Sequence, residues 1–221
     1  MENYKKNLQV LQDGYVYSKE MEHDACGVGL IASTNGKKSR KVVEYGINAL
    51  KAVWHRGAVD ADGKTGDGAG VHLEIPSDFF AEKIELTGHK HDESEICVGM
   101  VFLPRNNYAA QENSRTLIES ELTKSNFSIY GWRQVPVNPK VLGEKANLTR
   151  PEITQVLFKH NDKNLKDKNL ERKIYESRRK IEKEAIKCAL DGFYICSLSS
   201  KSIIYKGMFL AESISDFYLD L

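Results

Sequence analysis

Apolar residues recur along this chain with two different periods, and the elements those periods predict fall into groups. Val43, Ile47, Leu50 and Trp54 are spaced by four, three and four residues, one face of an amphipathic helix over about 40–54. Val71, Leu73 and Ile75 alternate with His72 and Glu74, which predicts a strand with one buried face, closed by Pro76. Ser77-Asp78 can cap a short helix running to about Leu86. Ile96 to Leu103 is almost continuously apolar between Glu95 and Pro104, the signature of a central strand covered on both faces.

The same reading predicts a helix from Asn106 to about Leu122, a strand over 127–134 ended by Pro136, a short helix plus loop over 138–149, and a strand over 153–158. The longest helix carries a stripe of Leu170, Ile174, Ile181, Ala185 and Cys188. Its charged residues between Arg178 and Glu184 read as a solvated face with Glu/Lys neighbours at helical spacing. Two last apolar runs, 193–198 and 203–205, flank Ser199-Ser200-Lys201-Ser202 as a hairpin would. Near the start, Val28, Leu30 and Ile31 follow Cys26 with Gly27 and Gly29 between them, a short and mostly buried strand over 26–32. The turn Ser33-Thr34-Asn35-Gly36 comes next. Residues 1–21 are polar, show no sustained period and include the turn signal Asp13-Gly14. They read either as a loosely held leader or as an ordinary ragged terminus. Strands and helices come in groups without strict alternation, so the pattern predicts an α+β fold of antiparallel or mixed sheet with helices packed outside.

Composition narrows the classes of partner. The 221 residues fit one large domain. Lys and Arg number 32 against 31 Asp and Glu, for a net charge of +1, so nothing global attracts nucleic acid or an anionic membrane. No apolar run approaches the roughly 18 residues that span a bilayer, and no apolar h-region follows the N-terminus. The four cysteines, Cys26, Cys97, Cys188 and Cys196, include no CxxC pair, which points to a reducing, cytoplasmic setting.

Three stretches carry candidate chemistry. Cys26 opens a strand with uncovered backbone on either side of Val28, a place where a thiol can be approached closely, although free cysteine is more often a small buried hydrophobe. His55-Arg56-Gly57 stands at the end of the first amphipathic helix, where Gly57 fits a helix-terminating position. Thr65-Gly66-Asp67-Gly68-Ala69-Gly70 resembles a phosphate cradle but lacks the Lys-Ser/Thr ending and precedes a strand rather than a helix. It reads as structural, with Asp67 turn-forming and Gly68 and Gly70 admitting close sheet packing. His89, His91 and Asp92 sit in a polar loop without further clear ligands, and we assign no metal to them.

In their order and spacing, Asp24–Ala32, Trp54–Ala58 and Thr65–Pro76 resemble the class II glutamine amidotransferases, most closely the amino-terminal domain of the glutamate synthase large-subunit family. The resemblance covers about Glu22 to Leu221. It implies the four-layer αββα sandwich of the N-terminal nucleophile hydrolases, incomplete at its C-terminal end. Residues 1–25 would be a propeptide, and 26–221 the N-terminal part of the amidotransferase domain. Cys26 would be the catalytic nucleophile and first residue of the mature chain, with Arg56 and Gly57 lining the pocket for L-glutamine. The α-amino group of a terminal cysteine titrates near 7.7–8.0, low enough to serve as a base at neutral pH, whereas an internal amide nitrogen has no basicity.

The family's oxyanion hole, built on an Asn-Gly pair, and its substrate-carboxylate clamp would lie beyond Leu221, so the resemblance makes this chain a fragment of a longer enzyme. No cofactor is expected in this stretch; FMN and an iron–sulfur cluster are implied for the full-length enzyme. The implied partners are the downstream synthase domains and a small NAD(P)H-oxidising flavoprotein subunit. Other class II enzymes, making amino sugars, asparagine or purine precursors, and a non-catalytic domain of the same fold are the alternatives.

Overall fold

A computed structural model describes residues 2–14, 27–91 and 95–221. Along the chain lie α1 (Glu2–Gly14), α2 (Arg40–Ala52), β1 (Ala69–Glu74), α3 (Ser77–Glu85), β2 (Cys97–Leu103), α4 (Tyr108–Lys124), β3 (Phe127–Gln134), α5 (Glu144–Thr149), β4 (Glu152–His160), α6 (Asp167–Lys187), β5 (Tyr194–Ser199), β6 (Ser202–Gly207) and α7 (Ile214–Phe217). The strands form two antiparallel sheets, a four-stranded one in the order β3-β4-β2-β5 and a two-stranded one pairing β1 with β6.

The period-two alternation of β2 explains the layering. Cys97, Val101 and Leu103 point to one face, where they meet Ile118 and Leu122 of α4 and Leu170, Ile174 and Ile181 of α6. Val98 and Met100 point to the other, into a second core with Leu157 of β4, Ile203 and Tyr205 of β6, and Phe80, Phe209 and Phe217. Ile47 of α2 is buried in that second core, with Val43 and Leu50 packed beside it, and α2 lies against β1. Helices α4 and α6, the large sheet, the small sheet and α2 are therefore four successive layers, αββα. Each fully buried aliphatic side chain in these two cores contributes about 1.5–3 kcal/mol relative to its exposed state.

Four expectations are corrected. Residues 27–33 form no strand, and Val28 and Leu30 are 91% and 89% exposed. A strand needs a neighbour for its backbone groups, and among the described residues β1 and β6 pair only with each other. Residues 2–14, polar and without a sustained period in the sequence, form a helix, Glu2–Gly14. Gln9 donates to the Asp13 carboxylate at 3.0 Å one turn on, and Gly14 ends the element. The runs after Phe193 form strands in different sheets rather than one hairpin. Ser197 Oγ accepts from the Ile204 amide at 3.2 Å, and Ser199 Oγ accepts from Lys201 and Ser202 at 2.9 and 3.1 Å. These hydroxyls take amides that a hairpin ladder would use, and the chain steps from the large sheet into the small one. Finally, Cys188 is exposed, because α6 ends at Lys187 before the stripe reaches it.

Candidate active site

The geometry around the expected site begins where α2 stops. Val53 caps it, donating its amide to Leu50, and Trp54–Arg56 makes a single tight turn before Gly57, whose amide donates to the Trp54 carbonyl at 3.0 Å. Gly57 is extended, at φ −89° and ψ 143°, so the left-handed helix terminator expected there is not what it provides. Its lack of a side chain matters for space: a Cβ would lie 3.3 Å from Asp67 Oδ1. Cys26 lies outside the described residues, as does the side chain of Arg56, so the structure locates Gly57 and the backbone of the Arg56 turn.

From Gly57 the chain runs out and back as a narrow hairpin. Asp67 donates its amide to the Ala58 carbonyl, Val59 and Gly66 form an isolated bridge, Asp60 donates to the Thr65 carbonyl at 2.9 Å, and Gly63 donates to Asp60 to turn the tip. The base of the hairpin is pressed onto the segment after β6. A Cβ on Gly66 would lie 2.7 Å from the Phe209 carbonyl carbon and oxygen. Of the glycines singled out in the sequence, Gly70 does admit close packing, with Lys206 Cβ and Tyr205 O at 2.9 Å from its notional Cβ, while Gly68 is needed for its backbone, at φ +128°.

The tip is fastened elsewhere. The Asp62 carboxylate accepts from the Thr65 hydroxyl at 2.6 Å, the Thr65 amide at 2.7 Å and the Lys64 amide at 3.0 Å, and these donors hold its pKa well below the ordinary carboxylate range. The backbone amide of Glu144, at the start of α5, lies close enough to lower its pKa a little further. Beside it the Lys145 ammonium sits 2.7 Å from Asp60, whose pKa it lowers while its own is raised. Sequence reasoning passed over Asp60, Asp62 and Lys145; the available signal was Asp60-x-Asp62-Gly63, a stretch of turn-forming side chains.

The described cysteines are poor nucleophiles or lie elsewhere. Burial pushes the Cys196 thiol up to about 11 and the Cys97 thiol higher still, so both stay protonated at neutral pH, and Cys188 follows α6 in the outer helical layer. Cys97 and Cys196 face opposite sides of the large sheet. Among the described residues no three of His, Cys, Asp and Glu converge as metal ligands, and these dispersed thiols do not fit an iron–sulfur cluster. His89 is engaged with Thr87 Oγ1 at 3.0 Å and edge-on to Tyr130, while Asp92 lies outside the described residues. No helix among the described residues is long and apolar enough to cross a membrane.

Two face-to-face antiparallel sheets between helical layers agree with what comparison with known proteins finds. The family model of the class-II glutamine amidotransferases matches residues 26–221, and the chain belongs to that family. Among similar proteins, the glutamate synthase [NADPH] large chain of Azospirillum brasilense is 52% identical over 219 residues, covering 99% of this chain and 14% of that protein. Ferredoxin-dependent glutamate synthases from Pyropia yezoensis and Arabidopsis thaliana are 40% and 39% identical, over 92% and 90% of this chain. The chain spans 13% and 12% of the length of those two relatives.

Proposed function

We propose that residues 26–221 are the N-terminal part of the glutaminase domain of a glutamate synthase, with residues 1–25 a propeptide whose removal exposes the Cys26 amine. The observation that carries this reading is the family match that begins on Cys26 itself, joined to relatives named as glutamate synthases over nearly the whole chain. Those names favour glutamate synthase over the amino-sugar, asparagine and purine enzymes.

In this reading the Cys26 amine takes the thiol proton, and the sulfur attacks the side-chain amide carbon of L-glutamine. The carbon–nitrogen bond of the resulting tetrahedral adduct breaks, and ammonia leaves with that proton. Water then hydrolyses the thioester, releasing glutamate and restoring the thiol. Arg56 and Gly57 bind the substrate, Gly57 by leaving its backbone approachable. The ammonia passes to synthase domains of the same polypeptide, which combine it with 2-oxoglutarate. FMN and an iron–sulfur cluster would supply the reducing equivalents in those domains, and a small NAD(P)H-oxidising flavoprotein subunit is the proposed electron source.

The test uses the full-length protein. Cys26→Ala is expected to abolish glutamine-dependent glutamate formation while ammonia-dependent formation survives; equal loss of both activities would make Cys26 structural. Intact-mass analysis of the active enzyme should find Cys26 at the N-terminus, and an active enzyme that retains residues 1–25 would remove the proposed base.

A further inference from the structure

The substrate turn stands at one end of the 58–67 hairpin, and the opposite end is fastened to a distant part of the chain by a set of contacts unusual for an exposed loop. Asp62 takes three donors, the Thr65 hydroxyl and amide and the Lys64 amide, and the Glu144 amide lies beside it. Thr65 is itself buried, at 4% exposure, and its hydroxyl oxygen also receives the Ala146 amide at 3.4 Å. Gly143 admits this approach, because a Cβ there would overlap Asp62 Oδ2 and Thr65 Oγ1. Lys145 bridges to both carboxylate oxygens of Asp60, at 2.9 and 2.7 Å. Stability of the hairpin alone does not require this arrangement. Its own rungs, from Asp60 to Thr65 and from Ala58 to Asp67, close it without reference to α5.

A hairpin held at two points behaves as a lever with no free end. Its base is wedged by Gly66 against Phe209 and Leu210, and its tip is clasped to 143–146, so the direction of its first residues is set from both ends. We infer that Asp62, clasped between Thr65 and the start of α5 across Gly143, is a positioning residue for the reaction: it orients the Arg56-Gly57 turn toward glutamine without touching the substrate. This rests on the glutaminase reading given above. Misplacing a substrate-holding group by about 1 Å can cost up to about 100-fold, and a group that holds ground state and transition state alike acts on KM rather than kcat.

The experiment measures KM and kcat for glutamine, together with ammonia-dependent synthesis, in the full-length enzyme. Asp62→Ala and Gly143→Ala are expected to raise the glutamine KM about tenfold with kcat changed less than about twofold and ammonia-dependent synthesis unchanged. Asp62→Asn, which keeps one acceptor oxygen for the Lys64 and Thr65 amides, is expected to recover most of the loss. Lys145→Ala removes only the exposed pair and gives a smaller KM rise of about threefold in an enzyme with unaltered fold. Parent KM values in all four variants would overturn the inference, as would a parallel loss of glutamine- and ammonia-dependent activity, which would make the clasp merely structural. Cys26→Ala run alongside separates the two ideas. Glutamine turnover that survives it removes the glutaminase reading and this inference together, whereas turnover that is lost, with parent KM values in the clasp variants, removes this inference alone.

Discussion

Gly57 and Gly66 bracket the base of the hairpin, and the two positions will not tolerate a methyl group equally. A Cβ at Gly66 meets the backbone of Phe209 and Leu210, which has no rotamer to escape into. Gly66→Ala should therefore cost about 1–3 kcal/mol, read as a lower Tm or denaturant midpoint. A Cβ at Gly57 meets the carboxylate tip of Asp67 at 3.3 Å, and that side chain can turn aside. Gly57→Ala should fold with a stability change under about 1 kcal/mol, and on the proposed glutaminase reading it should raise the glutamine KM of the full-length enzyme. The end of α2 before Arg56-Gly57 was legible from the apolar period, although what the missing side chain of Gly57 makes room for was not. Asp62 escaped because Gly143 and Glu144, which lie against it, are about 80 residues away, and local turn chemistry says nothing about which distant backbone will pack there.

Whole elements were legible wherever one face or both were buried. The strand Phe127–Gln134 and the interior strand β2 follow directly from their apolar patterns, because burial against a core is what selects those residues. The step from β5 to β6 was not legible. A strand, a serine turn and a second strand spell a hairpin unless the partners are known, and here β2 pairs with β5 while β1 pairs with β6. The deciding groups are hydroxyls. Ser199 is buried, at 7% exposure, and serves two backbone amides, while Ser200 donates to Glu171 of α6 and Glu95 at 2.8 and 3.1 Å. Ser199→Ala leaves those two amides without their acceptor and should destabilise the fold by about 1–3 kcal/mol, measurable in the denaturant midpoint. Ser199→Thr, which keeps the oxygen, should lose less.

At the scale of the whole molecule, the core between the sheets is a store of protons that must not leave. Burial raises the Cys196 thiol to about 11 and the Tyr205 hydroxyl to about 12, whereas free thiols and phenols titrate near 8.5 and 10. Between about pH 9 and pH 11–12 the unfolded chain therefore binds fewer protons than the native one, so stability falls as pH rises. Urea midpoints should be lower at pH 10 than at pH 8, and Cys196→Ala should flatten part of that slope; a midpoint independent of pH across this range would contradict the burial of these groups.

The pairing of β1 with β6 also sets a timetable. Its partners, from Ala69↔Gly207 to Glu74↔Ser202, are about 130 residues apart in sequence. On a ribosome adding about 5–20 residues per second, β1 waits for roughly 6–26 seconds before its only described partner has been made. The large sheet can join β2, β3 and β4 during that interval, since they are contiguous in the chain, while the unpaired backbone edge of β1 stays open to any passing strand. The interval before β6 is made is therefore one in which a neighbouring nascent chain can take the place of the strand that β1 awaits.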